Sequence, residues 1–238
     1  MSKINLIGTL VLGLFLVLSV FTHTISAQDE AKRIDDSAVA ASGDVVDDFI
    51  PEGWKIEADV AGDLNGGGTV DHAITMIEDK PATDKDGGSV DRNRGLVIVF
   101  GQTGGKFTKA AVADRLLQCP NCGGAFYGAG NAPANVSIAK GVLIIQQDHG
   151  SRWVTDTTYR FRYDEQPNMF ILIGFDYSSR DRNTGTGASE STNYLTGKRI
   201  TSKDGKNNTT VVEKMRYSIE EVDAEKFDEE ATKRLGLD

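Results

Sequence analysis

A strict alternation of side-chain character over residues 153–163 is the feature that most constrains how this chain can fold. The odd positions carry large aromatic side chains, namely Trp153, Tyr159, Phe161 and Tyr163, and most even positions carry charged or hydroxyl side chains. Successive side chains of a β-strand point to opposite faces of a sheet, so a period of two predicts a strand. Because the aromatic side chains share one face, we expect that face to be buried in a core.

Strand-type patterns recur along the rest of the chain and are separated by turns rich in glycine, asparagine and aspartate. The predicted strands cover residues 56–60, 73–77, 96–100, 106–112, 136–138, 142–147, 153–163, 169–177, 194–201 and 209–217. The continuous apolar run at 96–100 favours a strand covered on both faces, and a polar loop is expected between 177 and 194. The chain is therefore predicted to be all-β, an antiparallel meander of about nine to eleven strands that is propeller-blade-like or a sandwich.

The C-terminal stretch changes to a helical period. Ala224, Phe227, Ala231 and Leu235 are three or four positions apart and fall on one stripe, and Asp223 can cap the first turn. This pattern predicts a short C-terminal helix over residues 223–235 that docks on the sheet.

The N-terminal segment has the pattern of a secretory signal peptide. Lys3 precedes an apolar run over residues 6–21, and small residues before position 28 offer a cleavage site. The alternative is an uncleaved anchor, since the run approaches the roughly 20 residues that span a bilayer. We expect a signal peptide over 1–27, a flexible linker over 28–44 and a single β-rich domain over 45–238, which predicts a periplasmic or secreted protein without a membrane span after cleavage.

The charge of the chain excludes one class of partner. The formal net charge is −9, and removal of residues 1–27, whose only charge is Lys3, leaves −10. An acidic surface repels phosphate backbones, so nucleic acid is not an expected partner.

The segment over residues 62–73 has the spacing of a short calcium loop. Asp63, Asn65 and Asp71 stand at loop positions one, three and nine, and Thr69 would offer its backbone carbonyl at position seven. Calcium takes six to eight oxygen ligands, and a tight loop supplies them at alternate residues. Gly67 stands at position five, where a carboxylate is usual, so we expect weak binding. The alternative is a glycine-rich turn whose polar side chains accept hydrogen bonds from their own backbone.

This loop, with a strand on each side, resembles the FG-GAP-type repeat of integrin-like propellers and of bacterial secreted repeat proteins, in which a DxNxDGxxD loop binds calcium. The resemblance covers residues 55–78 and occurs once in the chain, and Gly67 departs from the pattern. Three other segments, residues 49–54, 115–124 and 159–163, resemble a group of uncharacterised bacterial exported proteins. That second resemblance implies export and a single β domain.

Cys119 and Cys122 are the only cysteines of the chain. In an oxidising compartment so close a pair predicts a local structural disulfide. The CxxC spacing also suits a redox site, but the residues after it are too rich in glycine for the helix that such a site needs. A zinc site would require His72 and His149 as further ligands.

Two further patterns point to function. Asp148, His149 and Ser151 are the residue types of a hydrolytic triad, but their adjacency favours a turn. Trp153, Tyr159 and Tyr163 could form an aromatic ligand surface for a glycan, although a stripe at strand spacing is more often core.

Taken together, these patterns predict an exported β domain of the cell envelope that acts as a non-enzymatic binding or interaction module, with calcium as its expected stabilising ion. Its partner would be an envelope or extracellular protein or a glycan. The alternative function is an envelope enzyme, either a thiol-redox enzyme that uses Cys119 and Cys122 or a hydrolase built around His149.

Overall fold

The computed structural model describes residues 33–237. The predicted signal peptide and the first part of the predicted linker lie outside the described residues. No helix within the described part of the chain has both the length and the apolar character needed to cross a membrane.

The described residues form twelve strands, two α-helices and three short 3-10 helices. The strands are β1 (Ser42–Gly43), β2 (Trp54–Gly62), β3 (Asp71–Glu78), β4 (Arg94–Gly101), β5 (Phe107–Ala113), β6 (Ala134–Ala139), β7 (Val142–Gly150), β8 (Trp153–Asp164), β9 (Met169–Asp181), β10 (Gly187–Asn193), β11 (Lys198–Lys203) and β12 (Lys206–Val211). The α-helices are α1 (Gly124–Tyr127) and α2 (Ala224–Leu235), and the 3-10 helices cover Asp36–Ala38, Val46–Phe49 and Ile219–Glu221.

The strands form two antiparallel sheets in which neighbours in the chain are neighbours in the sheet, except that β1 pairs with β5. The five-stranded sheet has the order β1-β5-β4-β3-β2, and the seven-stranded sheet has the order β12-β11-β10-β9-β8-β7-β6. Within residues 33–237 neither sheet closes into a barrel. The prediction of an all-β antiparallel meander with a short C-terminal helix is confirmed. Asp223 caps that helix by accepting a hydrogen bond from the N–H of Lys226, and Gly236 ends it in the left-handed conformation.

The two sheets share one core in the manner of a β-sandwich. Buried side chains from both sheets meet there, among them Leu96 and Ile98 of β4, Phe161 of β8, and Phe170 and Leu172 of β9. The odd face of residues 153–163 contributes to this core, as predicted. Helix α2 covers a further part of the same face of the seven-stranded sheet, because the ring of Phe227 lies 5.3 Å from that of Phe175 and 5.9 Å from that of Tyr159.

The opposite face of the five-stranded sheet is covered by the N-terminal segment. Ile34, Val39 and Phe49 are buried against Ile74 and Val97 in a second apolar cluster. This arrangement confirms that β4 is covered on both faces. It also differs from the flexible linker expected over residues 28–44, because residues 33–44 are held against the sheet. Ile34 and Val39 are buried there, β1 pairs with β5, and Lys109 donates hydrogen bonds to the carbonyls of Asp36 and Val39.

Strand β10 corrects the prediction of a polar loop between residues 177 and 194. Its side chains alternate between buried and exposed positions, and the buried ones are Ala188, Glu190 and Thr192. The carboxylate of Glu190 is fully buried and accepts hydrogen bonds from Nε and Nη2 of Arg234 at 2.9 and 2.6 Å. Polar residues therefore occupy core positions here because a distant arginine on α2 compensates the buried charge.

Candidate functional site

The inner face of the seven-stranded sheet changes from apolar to polar along β7 and β8. Going along these paired strands, the directly opposed residues on this face are Leu143 and Phe161, then Ile145 and Tyr159, then Gln147 and Thr157, and finally His149 and Thr155. Polar side chains on a core-facing surface need partners or an opening. A cavity of ≈ 350 Å³ lies at this polar end.

The walls of the cavity come from five parts of the chain that are separated in sequence, and the first of them is the N-terminal segment with Arg33. β7 and β8 contribute their polar inner-face residues, α2 contributes its first turns, the start of β4 contributes Arg94, and the connection after β5 contributes residues 114–122. Cys119 and Cys122 form a disulfide in that connection, and both line the cavity. The antiparallel sandwich thus brings segments together that no local pattern links.

The connection after β5 is held to the sheet by a chain of hydrogen bonds. The N–H of Gln118 donates to Oε1 of Gln147 at 2.6 Å, and Nε2 of Gln147 donates to the carbonyl of Leu116 at 3.0 Å. Nε2 of Gln118 donates to the carbonyl of Asp148 at 3.0 Å. These bonds use the polar groups of both glutamines, so this wall of the cavity is fixed in place.

The three arginines of the cavity lining already have partners. Arg94 donates to both carboxylate oxygens of Glu57, and its Nη1 donates to the carbonyl of Ala132 at 2.8 Å. Nη1 of Arg115 lies 3.4 Å from a carboxylate oxygen of Asp223. The third guanidinium, that of Arg33, donates to the carbonyl of Asp114 at 3.3 Å. The positive charge in the lining is therefore compensated.

Two buried polar atoms of the lining have no hydrogen-bond partner among residues 33–237. They are the hydroxyl of Tyr159, whose side chain is fully buried, and Oδ1 of Asp228. Burial raises the pKa of Tyr159, and the nearby charge of Asp228 raises it further, so this hydroxyl stays protonated at neutral pH. Two residues of the cavity lining therefore carry a buried O–H donor and a buried carboxylate oxygen that no other described residue satisfies.

His149 belongs to the same lining and interacts with the other oxygen of Asp228. Its Nε2 lies 3.5 Å from Oδ2 of Asp228. This contact raises the pKa of His149 above its ordinary value, and the charges of Asp148 and Asp156 act in the same direction, while burial opposes them. The pair joins β7 to α2 across the cavity.

The structure does not assemble a hydrolytic triad from Asp148, His149 and Ser151. Asp148 and His149 are strand residues of β7 rather than turn residues, so their side chains leave opposite faces of the sheet. Asp148 accepts a hydrogen bond from the hydroxyl of Tyr127, and the N–H of Ser151 donates to the carbonyl of Trp153. The expected turn is limited to the connection after Gly150.

The three aromatic residues proposed as a ligand surface do not lie on one exposed surface. Trp153 is 47% exposed, whereas Tyr159 is fully buried. Tyr163 is half-buried and packs edge-on against Phe100, at a centroid distance of 4.9 Å. Tyr159 nevertheless belongs to the residues that line the cavity.

In the loop over residues 62–73, the exposed side chains accept hydrogen bonds from the loop's own backbone. The carboxylate of Asp63 accepts from the N–H groups of Gly66 at 2.7 Å and Gly68 at 3.1 Å. Oδ1 of Asn65 accepts from the N–H of Gly67 at 2.7 Å. These are the contacts of a glycine-rich turn.

Asp71 closes the same loop from inside the protein. Its fully buried carboxylate accepts from the N–H groups of Leu64 at 2.8 Å, Gly101 at 3.0 Å and Asn65 at 3.3 Å. Burial raises its pKa, against the opposing effect of these hydrogen bonds. The hydroxyl of Thr69 donates to the carbonyl of Gly101 at 2.7 Å, which ties the loop to the end of β4.

The donor set of this loop is a poor match for calcium. Within residues 33–237 no three His, Cys, Asp or Glu side chains are grouped as metal ligands. Asp63 and Asp71 are the two carboxylates of the loop, and their oxygens already serve the backbone. Calcium at this loop stays a prediction, and so does the FG-GAP-type resemblance.

The disulfide between Cys119 and Cys122 agrees with the predicted local pairing. The sequence was expected to form no helix after it, but helix α1 makes one turn there. Gly124 and Gly128, which have φ values of 70° and 69°, begin and end this turn, so the glycines limit the helix to four residues instead of preventing it.

Sequence reasoning missed the cavity because its residues lie in separate segments. The apolar stripe of α2 was visible in the sequence, but nothing local connected Asp228 of that helix with His149 of β7. Comparisons of the chain with protein-family models, with curated proteins and with solved structures gave no match. The functional argument therefore rests on the geometry of the cavity.

Proposed function

We propose that this protein is an exported β-sandwich domain of the cell envelope that acts as a non-enzymatic binding module and holds a small ligand in the cavity between β7, β8 and α2. The observation that carries the proposal is the pair of unpartnered buried atoms, the Tyr159 hydroxyl and Oδ1 of Asp228. Export rests on the signal-peptide pattern of residues 1–27.

Unpartnered buried polar atoms are rare in folded proteins because each costs about 1–3 kcal/mol relative to a satisfied group. Tyr159 and Asp228 carry this cost in the wall of one cavity. A ligand that supplies both hydrogen bonds would remove the cost, so the cavity binds such a ligand more favourably than a cavity with satisfied walls would.

The rest of the cavity supports binding because it is already formed. Gln118 and Gln147 fix one wall through backbone and side-chain hydrogen bonds, and the disulfide limits the motion of the same connection. A ligand then meets ordered groups and causes little further loss of conformational entropy. A cavity of ≈ 350 Å³ lies at the lower end of the range for small-molecule sites.

The experiment is an NMR screen of the purified ¹⁵N-labelled protein against polar metabolites, grouped as sugars, amino acids, nucleosides, amines and carboxylates. We expect at least one compound to shift the amide resonances of β7, β8 and the first turns of α2. Ala224 lines the cavity, and Ala224→Phe should abolish these shifts. Val211→Phe, at a position that is 91% exposed on β12, is the matched control and should preserve them. Shifts that persist unchanged in Ala224→Phe would place binding elsewhere and refute the proposal.

A thiol-redox enzyme is the second candidate function, and one observation favours it. The disulfide of Cys119 and Cys122 lines the same cavity as His149, so a substrate bound there would lie near both groups. Structural disulfides have reduction potentials below about −300 mV, whereas thioredoxin lies near −270 mV. Equilibration with glutathione buffers measures the potential, and a value above that of thioredoxin would support the redox function over simple binding.

A further inference from the structure

We infer that the ligand of this cavity is a neutral polyhydroxylated molecule of monosaccharide size, an inference that rests on the binding function proposed above. It names the chemistry that the cavity recognises. The argument uses the compensated charges, the two unpartnered atoms and the volume of the cavity.

An anionic ligand finds no free cation in the lining. Phosphate and carboxylate groups are usually held by the fork of an arginine side chain. Arg94 is held by both oxygens of Glu57, Arg115 is paired with Asp223, and the guanidinium of the third arginine donates to a backbone carbonyl. An anion would also lie beside the carboxylates of the lining, those of Asp114, Asp223, Glu225 and Asp228, which would repel it.

An ammonium ligand offers a partner to the carboxylate oxygen Oδ1 of Asp228 but no acceptor to the O–H of Tyr159. Nε2 of His149 lies 3.5 Å from the other oxygen of the same carboxylate, so an ammonium would have to share Asp228 with the imidazole. The lining therefore disfavours a ligand whose main polar group is an amine.

A hydroxyl group matches both atoms. It accepts a hydrogen bond through its oxygen lone pairs and donates one through its hydrogen, so hydroxyl groups of a ligand can supply both the acceptor for Tyr159 and the donor for Oδ1 of Asp228. His149 and Thr157 line the same cavity and offer further polar groups to neighbouring hydroxyls. Several adjacent hydroxyls on a compact frame are the defining feature of a monosaccharide, which suits a cavity of ≈ 350 Å³.

The experiment is an NMR titration of the purified protein with glucose, galactose, mannose and N-acetylglucosamine, compared with glucosamine and gluconate. Glucosamine replaces one hydroxyl of glucose by an amine, and gluconate carries a carboxylate, so both are matched in size to glucose. We expect at least one of the four neutral sugars to shift cavity resonances with a dissociation constant in the millimolar range, and glucosamine and gluconate to bind more weakly.

Two variants test the assigned contacts. Tyr159→Phe removes one oxygen atom and Asp228→Asn keeps the size of the side chain, and each should weaken sugar binding by about tenfold, which corresponds to about 1.4 kcal/mol. Asp156→Asn is the control, since Asp156 pairs with Arg180 on the outer face of the sheet and should leave binding unchanged. Because the Tyr159 hydroxyl has no partner in the protein, Tyr159→Phe should keep the folded protein at least as stable as the wild type.

Three outcomes would overturn the inference. They are tighter binding of glucosamine or gluconate than of every neutral sugar, no binding by any of the four sugars, and unchanged sugar binding in both Tyr159→Phe and Asp228→Asn. In the last case water would be the group that satisfies Tyr159 and Asp228. The binding function would survive if an amine or a carboxylate shifted cavity resonances and Ala224→Phe abolished the shifts. It would fail together with the sugar inference if no compound shifted those resonances.

Discussion

Replacing Asp71 by alanine tests whether the loop over residues 62–73 is held by its own hydrogen bonds or by a metal ion. The carboxylate of Asp71 is fully buried and accepts three backbone hydrogen bonds, two of which are short, at 2.8 Å from Leu64 and 3.0 Å from Gly101. The third, from Asn65, is longer at 3.3 Å. Alanine would leave three N–H groups without their acceptor, and one of them, that of Leu64, is buried.

The magnitude follows from the number and quality of these bonds. A hydrogen bond to a charged group contributes about 1.5–3 kcal/mol, so the two short bonds represent about 3–6 kcal/mol in total. Part of this is offset because alanine also removes the cost of burying a carboxylate, a cost that is visible in the raised pKa of Asp71. We therefore expect Asp71→Ala to lower the free energy of unfolding by about 3 kcal/mol. Asp63→Ala, which removes an exposed acceptor of two glycine N–H groups, should cost about 1 kcal/mol.

The assay is urea denaturation of the wild type and both variants, in EDTA and in millimolar calcium. If hydrogen bonds hold the loop, the difference between Asp71→Ala and Asp63→Ala is present in EDTA and calcium does not change it. A bound calcium ion would instead stabilise the wild type by about 2.7 kcal/mol at one hundred times its dissociation constant. Equal and small losses for both variants in EDTA, with large losses only in calcium, would refute the hydrogen-bond account and confirm the calcium loop.

Three further predictions concern other parts of the fold. The carboxylates of α2, β7 and β8 raise the pKa of His149, so protonated His149 should stabilise the fold below about pH 6.5, and this contribution is lost as the pH rises through the raised pKa. The difference in the free energy of unfolding between wild type and His149→Gln, measured by urea denaturation, should therefore be larger at low pH. An equal difference at high pH would contradict this. Glu190→Ala removes the buried carboxylate that accepts two hydrogen bonds from Arg234 and should cost about 2–3 kcal/mol. Glu230→Ala removes the exposed partner of the same arginine and should cost at most about 1 kcal/mol. Similar thermal shifts in the two variants would argue against the role of the buried carboxylate. Replacing Cys119 and Cys122 by serine opens a very short loop and should cost about 2 kcal/mol or less, and a much larger loss in urea denaturation would mean that the disulfide holds more than its own loop.

The strands that could be predicted from sequence are those whose apolar side chains alternate or form a continuous run. β4 and β8 are examples. A strand buried on both faces has a continuous apolar run, and a strand buried on one face has alternating side-chain character. β10 could not be predicted this way. Its buried positions include Glu190, a residue type that predicts a surface position. Glu190 is buried because Arg234 of the C-terminal helix donates hydrogen bonds to it, and the sequence does not show this contact.

The position of the N-terminal segment was hidden for a related reason. Ile34 and Val39 lie in a polar stretch without helical or strand periodicity, so the local sequence does not distinguish an ordered segment from a flexible linker. Their burial depends on the open face of the five-stranded sheet, which Val97 and Ile74 line. A tertiary surface, rather than local propensity, orders this segment.

The sequence predicts the core position of Tyr159 but not the role of its hydroxyl in the candidate site. The alternation in β8 predicts that the side chain of Tyr159 faces inward, and its ring packs against Phe175 and Phe227 as a phenylalanine ring would. The hydroxyl is the part that packing does not explain, because it is buried without a partner. Phenylalanine at position 159 would keep the ring contacts and avoid the cost of an unsatisfied O–H. A fold that needed this position only for its core would gain from that exchange. The proposed ligand would account for the tyrosine, because a group in the cavity could accept a hydrogen bond from its O–H, and the same ligand could donate to the unpartnered oxygen of Asp228.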